Sequence, residues 1–556
     1  MAREIDVRRD FNRRRWVPIF IFVLGFFVFL PSIWSESSVT ERDEFFISFR
    51  TPIEMHEHGA WLTPWLDRQP RFRKPPLLYW ATLANYEIFG MTLAAARIWG
   101  VLAGAGLAMC ASLLAREIFR TTGLLAGLLT LGSIGVAVEA RQAMLDLPVA
   151  FFSLLSVLCW LRWMSHQRWH HIILSALALG AAFLVKGPVG FFFFMVGAIS
   201  ALWMFNGWRI IRRQPIHLAV WFVLLLAICL PWPMWMRHVW GDRFTHTVDE
   251  ELGARHFIEW AFLRPITTIS GLLGLIFPWT PLLIGAIASY FQKIRHGSQR
   301  SQTWLLVWCV ASTLPFFFMK ASERYLLGIA PVECVLIAAW LEDGDSVVRR
   351  WLFRLCVVLL ALIALALCAA VIWLKLGIVG PVLCVAAVVW MLWQARRITS
   401  YLRITFGGVI AMALCLGVVY PQLGINAMPL DLEQKLGGLP AVHFINVHPC
   451  LLSMRLGYSV QKFDDYSFPA EMAAHPNGMA VFLTPYERGK FEAMLVSSNL
   501  QSTELFHYGT VAALKTYFGN NKFDRANRRE AIATRSIEPL QLQVFCFKVM
   551  PGPPKN

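Results

Sequence analysis

Charged side chains of both signs occur in the first long polar stretch of the chain, residues 41–80. Asp43 and Glu44 lie near its start, and Arg73 and Lys74 lie toward its end. A carboxylate can take a proton from an attacking hydroxyl group, and fixed cations can stabilise a phosphate that leaves. The residue types therefore predict acid–base chemistry on a phosphate-linked substrate, with Asp43 as a catalytic residue and Glu44 as its support. The alternative interpretation is a pair of acids in a solvated loop.

A further acid, Asp146, stands at the start of an apolar segment. In that place a carboxylate can simply complement the dipole of a helix N-terminus. An acid at a membrane edge nevertheless costs free energy, and such residues commonly have a function. We therefore predict Asp146 as a second catalytic residue. Glu139, a supporting residue, and Arg141 are either its partners or ordinary interface charges.

Two later turns between apolar segments carry cations. Lys186 lies in one of them, and Lys320, Arg324 and Tyr325 lie in the other. The alternative interpretation of Lys186 is a side chain that snorkels to the membrane interface. Together with the cationic pair of the first loop, however, the turns predict a site for the phosphate of an anionic lipid.

The composition is that of a membrane protein with many spans. Of 556 residues, 57% are hydrophobic and only 15% are charged, which is far from the usual composition of a soluble domain. The formal net charge of +16 is explained by basic cytoplasmic loops. Membrane lipids, and not nucleic acid, are therefore the expected surroundings.

The apolar pattern predicts about thirteen membrane-spanning segments of sufficient length. They lie near residues 17–34, 92–115, 121–138, 143–164, 171–186, 188–206, 216–237, 267–290, 303–319, 325–341, 352–374, 376–394 and 403–421. With a cytoplasmic N-terminus, every predicted inner connection is basic, as the positive-inside rule expects. The prediction is an all-α polytopic membrane domain over residues 1–421, with an outer loop over 35–91 that carries the first acids and cations.

Residues 422–556 have an ordinary globular composition and are predicted to form a small α/β domain. The odd number of predicted spans places this domain outside the cytoplasm. Strands are expected at 443–447, 479–484 and 543–548, and helices at 485–496 and 510–518. Cys450 and Cys546 fall in this domain, where a disulfide between them stays open. The other nine cysteines lie in apolar segments, where thiols behave as small hydrophobic groups.

Histidines of the outer loops raise the question of a metal ion. His56 and His58 are spaced for a shared metal in an extended segment, but no Cys or tight His cluster completes a set of ligands. Solvated or hydrogen-bonded histidines are favoured, no metal ligand is assigned, and a divalent metal ion stays open as a cofactor. The chain also lacks a Gly-rich phosphate loop, which argues against nucleotide-driven transport and nucleotide-sugar binding.

The order of these motifs resembles that of bacterial GT-C glycosyltransferases, above all those that transfer aminoarabinose to lipid A, in the protein O-mannosyltransferase superfamily. The motifs that carry the resemblance are Asp43-Glu44, Gly59–Pro64, Arg73–Trp80, Met144–Pro148, Val185–Gly187, Leu230–Trp232 and Arg324–Leu327. The resemblance covers residues 15 to about 340, and the thirteen-helix plan with a C-terminal domain outside extends it over the rest.

The resemblance implies an inverting sugar transfer from a polyprenyl-phosphate donor to an acceptor on the periplasmic face, with lipid A as the first choice. It makes Asp43 the candidate base and Lys74 the residue that contacts the donor phosphate. Asp146, Lys186, Arg324 and Tyr325 would line the same cavity. Transfer to a protein or another polysaccharide, and a flippase for lipid-linked sugars, stay open as alternatives.

Two departures from the lipid A enzymes concern the choice of sugar. Those enzymes carry an acid where this chain has Arg73, and an Arg soon after the acidic pair, where Phe45 and Phe46 follow here. If that acid normally recognises an amino sugar or holds a metal, this chain uses a different donor sugar.

Overall fold

The computed structural model describes residues 2–40, 43–119, 123–253, 265–294, 300–318, 322–398, 400–444, 450–463, 472–511 and 525–552. The α-helices α1 to α24 are Ala2–Phe29, Arg50–Glu57, Leu77–Phe89, Leu93–Phe119, Leu124–Leu131, Ile134–Glu139, Asp146–His166, Trp169–Lys186, Val189–Met204, Trp208–Arg213, Pro215–Cys229, Pro231–Trp240, Asp242–Gly253, Pro265–Gly274, Thr280–Ile294, Arg300–Thr313, Ala330–Glu342, Val347–Trp373, Val379–Arg396, Tyr401–Leu414, Leu432–Leu436, Cys450–Leu456, Arg488–Ser497 and Arg525–Thr534. The strands β1 to β7 are Trp65–Leu66, Gln69–Pro70, Ala441–Phe444, Gln461–Phe463, Met479–Leu483, Leu500–Thr510 and Leu542–Pro551. Short π-helices cover Glu44–Ser48 and Cys415–Val419, and 3-10 helices cover Leu314–Phe317, Glu323–Gly328, Tyr420–Leu423, Pro485–Glu487 and Glu538–Leu540.

The membrane-type composition is matched by long apolar helices. Among the described residues, seven helices are long and apolar enough to cross a membrane. They are Leu93–Phe119, Asp146–His166, Trp169–Lys186, Pro215–Trp240, Val347–Trp373, Val379–Arg396 and Tyr401–Leu423. Shorter apolar helices occur at Trp16–Phe29, Val189–Met204 and Pro265–Gly274. The mostly helical architecture agrees with the sequence, whereas the count of thirteen spans stays a prediction.

Two segments predicted as continuous spans are interrupted. The span predicted at 121–138 divides into α5 and α6, and the span predicted at 267–290 divides into α14 and α15. At the two breaks, the backbone N–H of Ile134 donates to the carbonyl of Phe277, and that of Gly135 donates to the carbonyl of Leu275, each at 2.8 Å. Backbone polar groups released by a break inside a membrane need protein partners. The two interruptions therefore supply hydrogen bonds to each other.

Large aromatic side chains fill the interior of the helical domain and use their polar atoms there. Trp279 is almost fully buried, and its indole N–H donates to the carbonyl of Leu129 at 2.9 Å. Trp232 is also buried and donates to the carbonyl of Leu62 in the first loop at 2.9 Å. Each indole N–H thus finds a backbone acceptor inside the protein, as a buried Trp requires.

The C-terminal part contains a five-stranded mixed sheet with strand order β4-β3-β5-β7-β6. Strand β3 is parallel to β4 and β5, and β7 is antiparallel to β5 and β6. The strands predicted at 479–484 and 543–548 and the helix at 485–496 are confirmed. Strand β6 was missed, and the predicted helix at 510–518 lies almost wholly outside the described residues.

The question of a disulfide between Cys450 and Cys546 stays open. Cys546 is a buried free thiol on β7. The side chain of Cys450 lies outside the described residues.

We call the described part of residues 422–556 the sheet domain. It packs against the first loop, residues 35–91, of the helical domain. Arg455 forms an ion pair with Glu36 at 2.6 Å, and the backbone N–H of Ser459 donates to Glu57 at 2.6 Å. An apolar cluster continues the contact and joins Phe45, Phe49, Ile53, Tyr86, Leu451, Met454 and Leu542. The sheet domain and the first loop therefore lie on the same side of the helical domain.

Candidate active site

Asp146 and Lys186 meet at one end of an antiparallel helix pair. Asp146 is the first residue of α7 and Lys186 is the last residue of α8. The short link between His166 and Trp169 makes the two helices antiparallel, so the start of α7 lies beside the end of α8. The ammonium group of Lys186 contacts a carboxylate oxygen of Asp146 directly. Both side chains are only 5% exposed. Each charge also has the sign that its helix end favours.

Two glycines permit the backbone conformation and the close helix packing around Asp146 and Lys186. Gly187 has a φ of +70°, which ends α8 directly after Lys186 at low steric cost. Gly100 on α4 leaves no room for a side chain, since a Cβ would lie 2.5 Å from the carbonyl oxygen of Gln142. The close approach of α4 therefore fixes the loop that leads into Asp146.

Arg324 connects the two predicted catalytic acids. Its Nη2 donates to Oδ2 of Asp43 at 2.6 Å, and its Nε lies 3.2 Å from Oδ2 of Asp146. Asp43 remains 47% exposed, whereas Asp146 is buried. One carboxylate is therefore accessible to an acceptor, and the other is enclosed between two cations.

Tyr325 completes this cluster from the same 3-10 helix as Arg324. The Lys186 ammonium lies 4.0 Å from the centroid of the Tyr325 ring. The face of an aromatic ring attracts a cation, so the ring is a second partner for Lys186. We call Asp43, Asp146, Lys186, Arg324 and Tyr325 the charge cluster.

Glu44 points away from the charge cluster into a buried ion pair. Its carboxylate accepts from Nε of Arg97 at 2.8 Å and from Nη2 at 3.2 Å, and neither side chain is exposed. It also accepts from the backbone N–H of Ala143 at 2.8 Å and from Thr40 at 2.7 Å. Glu44 thus connects the segment that carries Asp43 with the loop that precedes α7.

The cations of the first loop have an acidic partner from another loop. Lys74 lies 3.2 Å from Glu251 on α13, and Arg73 lies 3.8 Å from the same carboxylate. This group adjoins the charge cluster, because a Cβ on Gly187 would lie 4.0 Å from Pro75. Arg73 is 61% exposed and Lys74 only 18%, so Lys74 is the better enclosed of the two.

Comparison with known proteins gives matches in sequence. A family model described as dolichyl-phosphate-mannose-protein mannosyltransferase matches residues 19–239. The undecaprenyl phosphate-alpha-4-amino-4-deoxy-L-arabinose arabinosyl transferase of Pseudomonas aeruginosa (strain LESB58) is 29% identical over 334 residues, which cover 55% of this chain and 58% of that protein. Its namesake in Pectobacterium carotovorum subsp. carotovorum (strain PC1) is 27% identical over 348 residues, which cover 59% and 60%. The chain thus spans 58% and 60% of the length of these two relatives.

The fold gives a match over almost the whole chain. The crystal structure of ArnT from Cupriavidus metallidurans bound to undecaprenyl phosphate has a TM-score of 0.66 at 17% identity, covering 95% of this chain and 97% of that one. The chain resembles the GT-C glycosyltransferases in sequence and has their fold. On this GT-C fold, the charge cluster lies at the helix ends that face the sheet domain.

The remaining sequence predictions for the site have separate outcomes. Glu139 is buried at the end of α6, and its supporting role stays a prediction. Arg141 is not the partner of Asp146, because its guanidinium donates to the carbonyls of Ala137 and Val28. Lys320 lies outside the described residues.

The histidines of the first loop are hydrogen-bonded, as favoured. His56 lies 2.7 Å from Glu87, and His58 lies 2.7 Å from the carbonyl of Glu54 and stacks on Trp65. The part of the chain that the structure describes contains no group of three or more His, Cys, Asp or Glu side chains that could hold a metal ion.

Sequence reasoning missed Arg97 and Glu251. Arg97 lies inside an apolar segment, where an ionisable residue is costly, and that signal was available. Glu251 ends an acidic run in the outer loop at 238–266. The run was visible, but nothing local connected it to Lys74.

Proposed function

We propose that this chain is an inverting glycosyltransferase that moves a monosaccharide from a polyprenyl-phosphate donor to a lipid acceptor. The observation that carries the proposal is the charge cluster. It combines one accessible carboxylate with buried cations at the ends of apolar helices. Such an arrangement suits a reaction between two molecules that are both held in a membrane.

The donor is proposed from chemistry and from likeness. Polyprenyl phosphate leaves as an anion, and preorganised cations stabilise developing negative charge in a site shielded from water. Lys186 and Arg324 provide such cations, with Lys74 and Arg73 beside them. Two relatives are named as transferases that use undecaprenyl phosphate-linked aminoarabinose, which supports this class of donor.

Asp43 is the proposed base. In the reaction, the acceptor hydroxyl gives its proton to Asp43 while its oxygen attacks the anomeric carbon, and the bond from that carbon to the phosphate oxygen breaks. A single displacement of this kind inverts the configuration of the sugar. Arg324 holds one oxygen of Asp43, so the other oxygen can face the acceptor.

Asp146 is proposed to act through its neighbours. Because it contacts both Lys186 and Arg324 and is 5% exposed, it holds the two cations in place and balances their charge. It remains a candidate catalytic residue, but its burial favours this orienting role over proton transfer.

The proposed acceptor is lipid A, and the proposed location is the periplasmic face of a bacterial inner membrane. The basic connections at the opposite helix ends support a cytoplasmic N-terminus by the positive-inside rule. The sheet domain of residues 422–556 is then periplasmic. A protein or another polysaccharide is the alternative acceptor.

The sugar is proposed to be aminoarabinose or a close relative of it, because two relatives are named for a donor that carries 4-amino-4-deoxy-L-arabinose. One position of this chain favours a different sugar. Arg73 stands where the lipid A enzymes that the sequence resembles carry an acid. An Arg at that position favours a sugar without a free amino group, which makes a neutral pentose or hexose the second candidate.

The test is transfer in membranes that contain the wild-type chain or Asp43→Asn, with lipids read by mass spectrometry. We expect a sugar-sized mass addition on lipid A in the wild type, reduced by 10²–10⁴-fold in the variant, the usual range for loss of a general base. Glu250→Gln, on the outer loop, is the matched control and should retain transfer. Addition of the sugar to other molecules, and not to lipid A, would support the transferase and overturn lipid A as the acceptor. No addition, with a folded protein and donor present, would refute the transferase and favour a flippase.

A further inference from the structure

An apolar groove lies between the end of α18 and the sheet domain, among residues that the charge cluster does not include. Its volume is about 500 Å³, within the range of roughly 300–1,000 Å³ that is common for ligand sites. Ala370 and Trp373 form one wall, and Ile532 and Leu540 form part of the other. Arg528 is the charged residue that lines it.

The two walls are joined by direct contacts. The indole N–H of Trp373 donates to the carbonyl of Ile532 at 2.9 Å, and the Arg535 guanidinium lies 4.5 Å from the centroid of the Trp373 ring. Trp373 and Ile532 nevertheless remain 46% and 59% exposed. The groove is therefore built by fixed elements and still presents apolar surface.

The position of the groove matches a membrane interface. Trp373 is the last residue of an apolar helix of spanning length, and Trp is enriched at the level of lipid headgroups. The sheet domain that forms the other wall also contacts the first loop. The groove thus opens at the same side of the helical domain as the charge cluster.

The charges around the groove are predominantly basic. Among the described side chains, helix α24 carries Arg528 and Arg529 against one acid, Glu530, and the segment after it carries Arg535 and Glu538. Among the ion pairs of the described residues, none involves Arg528 or Arg535. Basic side chains at the surface of a membrane attract anionic headgroups.

We propose that this groove binds one acyl chain of an anionic glycerophospholipid, with its phosphate on Arg528. The groove has one charged residue and the volume of a single ligand. A lipid with one phosphate fits this better than a glycolipid with several chains and phosphates. The bound lipid holds the sheet domain against α18, which makes the site a structural lipid site separate from the proposed reaction.

The test is native mass spectrometry of the full chain in detergent, with added phosphatidylglycerol or phosphatidylcholine of identical acyl chains. We expect phosphatidylglycerol to bind more tightly to the wild type. Arg528→Ala should weaken its binding by about fivefold, the effect of one basic residue near an anionic lipid. Ala370→Trp, at an exposed position on the groove wall, should weaken the binding of both lipids.

Two control variants carry the same changes elsewhere. Arg354→Ala removes an Arg beside Trp351 near the opposite end of α18, and Ala386→Trp adds an indole at an exposed position of α19. If Ala370→Trp does not fold, Ile532→Asp at the exposed edge replaces it and should weaken phosphatidylglycerol most. Equal losses in test and control variants would overturn the proposal. Displacement of phosphatidylglycerol by purified lipid A would overturn the choice of ligand.

Discussion

The contact of Asp146 with Lys186 permits a double-mutant test of how the charge cluster is held. Asp146→Asn removes the carboxylate and keeps its shape. Lys186 then retains the Tyr325 ring as a partner, whereas Arg324 still pairs with Asp43. The loss in free energy of unfolding therefore comes mainly from Lys186, which is 5% exposed and keeps its charge without its carboxylate partner.

The magnitude follows from burial. Removing one partner of a buried ion pair costs about 3–5 kcal/mol, because the other charge stays enclosed without compensation. Lys186→Met should cost less, since Asp146 keeps Arg324 as a partner at 3.2 Å; a charged hydrogen bond is worth about 1.5–3 kcal/mol. The double variant Asp146→Asn/Lys186→Met leaves neither charge of the pair. It should be more stable than Asp146→Asn alone.

The assay is the thermal and denaturant unfolding of the four proteins in one detergent, at one pH. We expect an interaction free energy of about 2 kcal/mol, within the range known for residues in contact. The control is the pair of Arg162 with Glu117, whose side chains are 31% and 24% exposed. Glu117→Gln should cost about 1 kcal/mol or less.

The reasoning is refuted if the loss in free energy of unfolding of the double variant equals the sum of the losses of Asp146→Asn and Lys186→Met. Additive losses would mean that Asp146 and Lys186 do not interact in the folded protein. A loss for Asp146→Asn as small as that for Glu117→Gln would show that the site is hydrated and not buried.

Two further changes test other contacts of the outer loops. If Lys74 binds the donor phosphate as proposed, Glu251→Gln removes the carboxylate that would compete for it, and polyprenyl phosphate should bind about two- to fivefold more tightly, as expected from a partly exposed ion pair. Glu250→Gln in the same helix is the control, and weaker binding would instead make Glu251 a positioning residue. Burial raises the pKa of Glu57 at the contact with Ser459, against the lowering effect of the Ser459 N–H. The folded state therefore binds this proton more tightly than the unfolded state, and the stabilisation is complete at low pH and lost as the pH rises through the raised pKa. The melting temperature should rise between pH 7 and pH 5 more in the wild type than in Glu57→Gln, and identical slopes would contradict it.

The site shows which contacts local sequence predicts well. Asp146 and Lys186 were both recognised from their places at the edges of apolar segments. Because consecutive spans are antiparallel and their connection is short, the start of one and the end of the next must lie at the same membrane side. The pairing of these two charges is therefore close to a consequence of helix order.

Other contacts depend on packing across long distances in the chain. Arg324 reaches Asp43 across 281 positions, and Glu251 reaches Lys74 across 177. Glu44 was predicted as a supporting residue, and that role stays a prediction; its carboxylate lies in a buried pair with Arg97, which the sequence did not predict. No local pattern distinguishes an acid that faces a substrate from one that faces an internal Arg.

The sequence by itself determined the membrane class, the mostly helical fold and the resemblance to GT-C glycosyltransferases. It also located most of the charged residues of the site, because charge is costly among apolar spans and its presence there is informative. The tertiary structure decided which acid is exposed, which cation faces which carboxylate, and where two predicted spans break. Those outcomes depend on which helix ends and loops pack together, and that is set by the whole chain and not by any one segment.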